Sequence, residues 1–304
     1  MLTRNLPETS FPAPRNGRTS VSVLGLGAGT LGESRLSDAE GEALLAEAVA
    51  LGVTLIDTAP SYGVSEDRIG RFLRGKSSRR DAIVLSTKGG YGVPGVADWT
   101  PDVITRGIDQ ALARMGVDRL DAFFFHSCPK DVLARGDLFE PLARAKESGK
   151  IRFAGYSGEN DALDFAVDCG AFDVVQCSVN PFDRRSLVNA VARAHARGIG
   201  VVAKRSVANA PWRFTSRPTG EYCEEYWVRM HAMAVDPSPL GWSEVAVRFG
   251  AFAEGVTSIL VGTGRAGHLR ECAEWIAKGP LPDELQERLR TRFYACDRGF
   301  IGQI

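Results

Sequence analysis

No stretch of the 304-residue chain approaches the roughly 18 consecutive apolar residues of a membrane span. The opening MLTRNLPETSFPAPRNG lacks the hydrophobic centre of a signal peptide, so a cytoplasmic protein without membrane partners is expected. Excess charge is missing too: 37 Lys plus Arg stand against 37 Asp plus Glu, with no long basic run. That balance gives no electrostatic footprint for nucleic acid. Cys128, Cys169, Cys177, Cys223, Cys272 and Cys296 show no CxxC spacing, which speaks against a disulfide framework and against a structural metal site. No Pro/Ser-rich linker divides the chain. What is present is 44% hydrophobic and 24% charged residues, a composition that buries a large core and excludes general disorder.

Residues 1–17, with Pro7, Pro12 and Pro14, read as a flexible N-terminal arm. Beyond them one alternation repeats: a short β-rich apolar stretch, a polar or glycine turn, then an amphipathic helical pattern. Strands are expected at 21–26, 53–57, 83–86, 120–125, 151–155, 174–176, 199–203 and 258–261. Ser37-Asp38-Ala39-Glu40 has the form of a capping box, and Thr100-Pro101 opens a second helix. Further helical patterns fall near 67–73, 138–147, 161–168, 186–196, 241–253 and 267–277, and the long connection 209–239 is expected to hold an extra helix around 221–234. Eight such units in one chain predict a single-domain (β/α)₈ TIM barrel over 18–304, with an extended loop after the seventh strand and a C-terminal tail near the active-site mouth. Gly27-Ala28-Gly29-Thr30-Leu31-Gly32 matches the dinucleotide fingerprint G-x-G-x-x-G. That motif requires a helix opening at its glycines, whereas the helical signal here begins only after Ser37, so a tight strand–helix loop is the better reading.

Asp57, Tyr62, Lys88 and His126 stand at or just beyond predicted strand ends. In a barrel such residues converge on the C-terminal face, where the loops build the site. Taken singly, each has a plain structural explanation: a helix cap, a packed ring, a solvated charge or a buried hydrogen-bonding imidazole. Together, Asp57-Thr58-Ala59 with Tyr62-Gly63-Val64-Ser65-Glu66, Lys88, His126, Gly149-Lys150-Ile151-Arg152 and Gly155-Tyr156-Ser157 resemble the aldo-keto reductase superfamily over nearly the whole chain after residue 17. The resemblance implies a barrel that uses a nicotinamide cofactor without metal. It also implies a catalytic tetrad of Asp57, Tyr62, Lys88 and His126. Tyr62 would then be the general acid in reduction and the base in oxidation, helped by the ammonium of Lys88 held by Asp57, while His126 positions the carbonyl.

The same resemblance assigns cofactor contacts. Ser157 and Gln176 match the nicotinamide amide contacts, while Gly158 stands where an asparagine is common. Asn180 is open to two readings, a cofactor contact or a turn residue. Lys204 occupies the place of an aromatic platform, and the neighbouring Arg205 is either a pyrophosphate contact or a salt-bridged surface residue. Gly262, Thr263 and Gly264 read as a phosphate-binding turn before a helix, followed by Arg265, His268 and Glu271, with Glu271 on the adenine side. Gly262 and His268 replace the usual lysine and arginine around a 2′-phosphate. NADP(H) is therefore favoured by family, and NAD(H) stays open.

Tyr91, Trp99, Cys128, Trp212, Phe214 and Tyr226, with Phe293, Tyr294 and Phe300 from the tail, are candidate pocket walls. Their supply of aromatic surface suits a small aldehyde, ketone or alcohol with an apolar or aromatic portion. The expected function is NAD(P)H-dependent reduction of a carbonyl, or the reverse oxidation. The alternative is a nicotinamide-binding, redox-responsive regulatory protein with little turnover.

Overall fold

The computed structural model describes residues 1–5 and 20–303. Thr3–Asn5 (β1) pairs antiparallel with Ser20–Ser22 (β2) outside the main sheet. Leu24–Gly27 (β3), Leu55–Asp57 (β4), Val84–Gly89 (β5), Leu120–His126 (β6), Ile151–Ser157 (β7), Val174–Ser178 (β8), Gly200–Lys204 (β9) and Ser258–Gly262 (β10) run parallel. They close into a barrel in which β10 pairs with both β9 and β3. The helices are α1 (Asp38–Ala50), α2 (Ser65–Leu73), α3 (Ser77–Ala82), α4 (Pro101–Met115), α5 (Lys130–Leu133), α6 (Phe139–Glu147), α7 (Asn160–Asp168), α8 (Ala192–Ala196), α9 (Glu224–Met233), α10 (Trp242–Ala251), α11 (Ala266–Ala277) and α12 (Asp283–Cys296). No helix among the described residues is long and apolar enough to cross a membrane.

Strand alternation sorts the core into layers. Leu55, Val84, Phe124, Phe153, Val202 and Leu260 form one buried cluster, while Phe123 and Phe125, on the other face of β6, join the larger cluster shared with the helices. Phe124 is 1% exposed. Phe124→Ala is expected to lower the unfolding free energy by about 3–5 kcal/mol, through lost burial and a cavity that the closed sheet cannot collapse. Chemical denaturation checks this, and a loss below about 1 kcal/mol would contradict it.

The two helix starts read from sequence form as expected. Ser37 accepts from the Glu40 amide and Glu40 accepts from the Ser37 amide, and Thr100 caps α4 with Pro101 in its first turn. The stretch 21–26 is not one strand: Ser22 exchanges hydrogen bonds of 2.8 Å with Thr54, so the chain turns at Val23 and only Leu24–Gly27 enters the barrel. Thr3–Asn5, within the segment expected to be a loose arm, is held as a strand instead; residues 6–17 of that segment lie outside the described residues. The helix expected at 186–196 begins as one π turn over Leu187–Val191 before α8. The extra helix after the seventh barrel strand is α9. The tail lies at the rim, where Gly302 and Asn160 exchange hydrogen bonds of 2.8 and 3.1 Å.

Candidate active site

Because the barrel strands are parallel, their C-terminal ends share one rim. Asp57 closes β4, Lys88 lies one residue from the end of β5, and His126 and Ser157 close β6 and β7. Lys88 Nζ lies 2.5 Å from Asp57 Oδ2 and donates to the Thr58 carbonyl at 2.8 Å. The other Asp57 oxygen accepts from Ser86 Oγ at 2.8 Å and from Gln176 Nε2 at 3.1 Å. Burial of Lys88 pulls its pKa down, but Asp57 and then Tyr62 outweigh it, and the net direction is upward. The group is a buried ammonium.

Tyr62 comes from the loop between β4 and α2. Its ring centroid is 5.0 Å from Lys88 Nζ and 6.1 Å from the His126 ring, edge to face. The loop is fixed from behind: a Cβ at Gly32 would stand 1.7 Å from the Tyr62 carbonyl oxygen, so only glycine allows the β3–α1 loop to lie against it. Arg68 of α2 anchors that loop through Leu31, Glu33 and Leu36 carbonyls and the Asp38 carboxylate. His126 is driven down to about 3, first by burial and then by Lys88, Lys204 and Arg205, so its imidazole is neutral at physiological pH.

Asp57, Tyr62 and His126 open onto one cavity of about 1020 Å³, while Lys88 sits behind Asp57 and is 2% exposed. Ser157, Gln176, Lys204, Arg205, Gly262, Thr263, Gly264, Arg265, His268 and Glu271 all line that cavity. Ser157 donates to Gln176 Oε1 at 2.9 Å, across the β7–β8 register that pairs the two residues. With the Gln176 bond to Asp57, this makes one chain from Ser157 to Lys88. The position of Gly158 has no room for a side chain: a Cβ there would meet the Tyr156 hydroxyl at 2.2 Å. Asn180 is buried in a turn, its Oδ1 accepting from Phe182 N at 2.9 Å, which supports the turn reading.

Lys204 Nζ approaches Glu159 Oε1 to 3.2 Å. Arg205 is held inside the rim rather than free on the surface: it donates to Ser178 Oγ at 3.2 Å, to the Gln303 carbonyl and to the Tyr222 hydroxyl. At the far end Thr30 Oγ1 donates to the Thr263 carbonyl at 2.7 Å, tying the loops after β3 and β10 together. Helix α11 then begins with Arg265 as an uncapped N-cap residue. His268 is shifted down by burial, with Glu271 opposing and Arg265 adding to the shift. Trp275 of α11 lines the same end, edge-on to His268 at 6.3 Å. It is not among the site residues expected from the sequence; one helical turn beyond Glu271, its spacing is the signal that points to it.

The cavity's donor set fits a nicotinamide nucleotide. The Ser157 hydroxyl and the Gln176 amide stand at the end next to Asp57, Tyr62 and His126, and bare glycine backbone, an uncapped helix start and Arg265 stand at the other. The expected aromatic walls divide. Trp212 lines the cavity, Tyr91 stacks on His126, and Trp99 packs edge-on against Tyr91. Tyr226 and Phe293 instead lie fully buried in a second hydrophobic cluster, against which Phe300 packs. Cys128 lines a separate cavity, the Phe214 carbonyl accepts from Trp227, and Tyr294 is exposed beside Arg184.

A model of the aldo/keto reductase family matches residues 23–291. D-threo-aldose 1-dehydrogenase of a Pseudomonas species is 28% identical, over 88% of this chain and 92% of that protein. Pyridoxal 4-dehydrogenase of Microbacterium luteolum is 26% identical, over 90% and 95%. Among solved structures, an aldo-keto reductase from Bacillus halodurans in its holo form is similar with a TM-score of 0.77 at 21% identity, covering 96% of each chain.

Proposed function

The chain belongs to the aldo/keto reductase family of oxidoreductases, and from that premise we propose that it interconverts a small carbonyl compound and its alcohol with Tyr62 as the proton-transferring group. The observation that carries this reading is the Lys88–Asp57 contact of 2.5 Å lying 5.0 Å under the Tyr62 ring, on the same cavity as the cofactor-type donors. Family members use nicotinamide cofactors, and such a group, when bound here, supplies or accepts the hydride.

Everything else falls to the side chains. Negative charge grows on the carbonyl oxygen as reduction proceeds, and the oxygen must be met by a donor already in place. Tyr62 gives the proton, and the buried Lys88 ammonium stabilises the phenolate left behind. Asp57 favours the charged form of that ammonium against burial, which alone would lower its pKa. Neutral His126 offers the oxygen a second hydrogen bond without adding another cation beside Lys88. In oxidation Tyr62 takes the alcohol proton by the same route. The two relatives oxidise an aldose and pyridoxal by name, and Trp212 gives the cavity an aromatic wall suited to a ring-bearing substrate.

NADP(H) is the preferred cofactor in this reading, with Arg265 as the cation for a 2′-phosphate in place of the absent lysine. His268, shifted toward its neutral form, does not take over that charge. Arg265→Ala is expected to weaken NADPH binding about 10- to 100-fold, the worth of one charge-assisted hydrogen bond, and NADH binding by less than about threefold. Fluorescence titration with each dinucleotide checks this, and equal losses for both would contradict it. The wider reading is tested by following reduced-cofactor absorbance with a panel of aromatic and sugar aldehydes: turnover supports it, whereas tight binding without turnover favours a regulatory protein.

A further inference from the structure

We infer that Tyr91 is a positioning residue whose hydroxyl donates to Nδ1 of His126 and so fixes that imidazole in the form carrying its proton on Nε2. The Tyr91 oxygen lies 2.9 Å from Nδ1, and the two rings stack with centroids 5.6 Å apart and 24° between their planes. A neutral imidazole has one N–H and one bare nitrogen, and whichever nitrogen accepts a hydrogen bond sends the proton to the other. His126 is neutral because it is buried among Lys88, Lys204 and Arg205. A phenol donating to Nδ1 therefore leaves Nε2–H as the donor available to a ligand in the cavity that His126 lines. The opposite arrangement would leave a bare acceptor there, with nothing to offer a carbonyl oxygen. It would also turn the Tyr91 proton toward some other acceptor, although Nδ1 is the hydroxyl's one protein hydrogen-bond partner among the described residues.

The loop that carries Tyr91 is built to hold it. Trp99 N donates to the Gly90 carbonyl at 2.8 Å and Gly92 N donates to Asp98 Oδ1 at 2.9 Å, closing residues 90–99 on themselves. Gly90 has φ +124°, and a Cβ there would stand 2.0 Å from the Trp99 indole. Glycine thus admits Trp99 against the strand end, where it packs edge-on to Tyr91 at 6.0 Å and to Phe125 at 6.4 Å. Tyr91 is wedged between that indole and His126.

The inference rests on the proposed role of His126 in orienting the carbonyl, but its test does not need turnover. The sequence has four histidines. Long-range ¹H–¹⁵N imidazole spectra of the full chain, assigned with His126→Asn, read the tautomer of His126 in the free protein. The expected result is a neutral Nε2–H pattern in the wild type that becomes a tautomer mixture in Tyr91→Phe, a substitution that keeps the stacked ring. Where a substrate is turned over, kcat should fall about tenfold, the worth of one hydrogen bond, with KM little changed. An Nδ1–H pattern in the wild type, or an unchanged Nε2–H pattern in Tyr91→Phe, overturns the inference. A wild-type protein that shows the expected spectra but turns over no carbonyl compound overturns the functional reading alone.

Discussion

Tyr62→Phe is expected to lower kcat for carbonyl reduction by about 10²- to 10⁴-fold, the range of general acid catalysis by a positioned group, while leaving dinucleotide affinity within about twofold. The substitution removes one oxygen and keeps the ring over Lys88. The backbone of residue 62 stays pinned by the close approach of Gly32, so the loop has no reason to move. Because the lost interaction is made to a charge that develops only during reaction, kcat and kcat/KM should fall together. Steady-state absorbance of the reduced cofactor, paired with a fluorescence titration, separates the two effects. Turnover within tenfold of wild type in a folded variant would remove Tyr62 from the role assigned to it.

Lys88→Met is expected to abolish detectable turnover and also to lower the unfolding free energy by about 3–5 kcal/mol, because it leaves the Asp57 carboxylate buried without its counter-charge. Asp57 is 3% exposed, and Ser86 and Gln176 still donate to its other oxygen. The relief open to the variant is protonation of Asp57. The wild-type pair carries its own pH signature. Lys88 has a raised folded pKa, so its contribution to stability is fully present below the unfolded lysine value of about 10.4 and is lost as pH rises through the folded value. Urea unfolding of both proteins between neutral and alkaline pH measures the difference. A variant as stable as wild type at neutral pH would show that the pair does not carry this burden.

Most of the barrel was legible in the chain because each strand is a short apolar run followed by a turn and an amphipathic helix, a pattern written locally. The capping box at Ser37 is equally local. What was not legible depends on partners distant in sequence. Ser22 turns the chain at Val23 through bonds to Thr54, and no period in residues 21–26 encodes that. Helix α12 is not among the expected helices although Leu285, Leu289 and Phe293 recur at helical spacing and are all buried; the aromatic residues of the tail mask that period. The site shows the same division. Strand ends make Asp57, Lys88 and His126 candidates and the loop after β4 adds Tyr62, but each taken singly has a plain structural explanation, and it is the family resemblance that groups them. The assignment of Tyr226 and Phe293 to the pocket failed because an aromatic residue suits any apolar enclosure, and α9 packed on α12 supplies a second one. The hydrogen bond of Tyr91 to His126 spans neighbouring strand ends, and only the closed sheet brings those residues side by side.

The chain of contacts through Asp57 has a consequence for how this protein can change. One carboxylate serves two masters: Oδ2 faces the ammonium beneath the Tyr62 ring, and Oδ1 receives Gln176, which in turn holds Ser157. Substitutions on the two sides of that carboxylate therefore share a partner and will not act independently. Farther out on the rim, the Thr30 hydroxyl joins one loop to one other through Thr263, so a substitution there reaches fewer partners than one at Asp57. The centre is coupled through one residue on β4, so a change on either side of Asp57 is felt on the other.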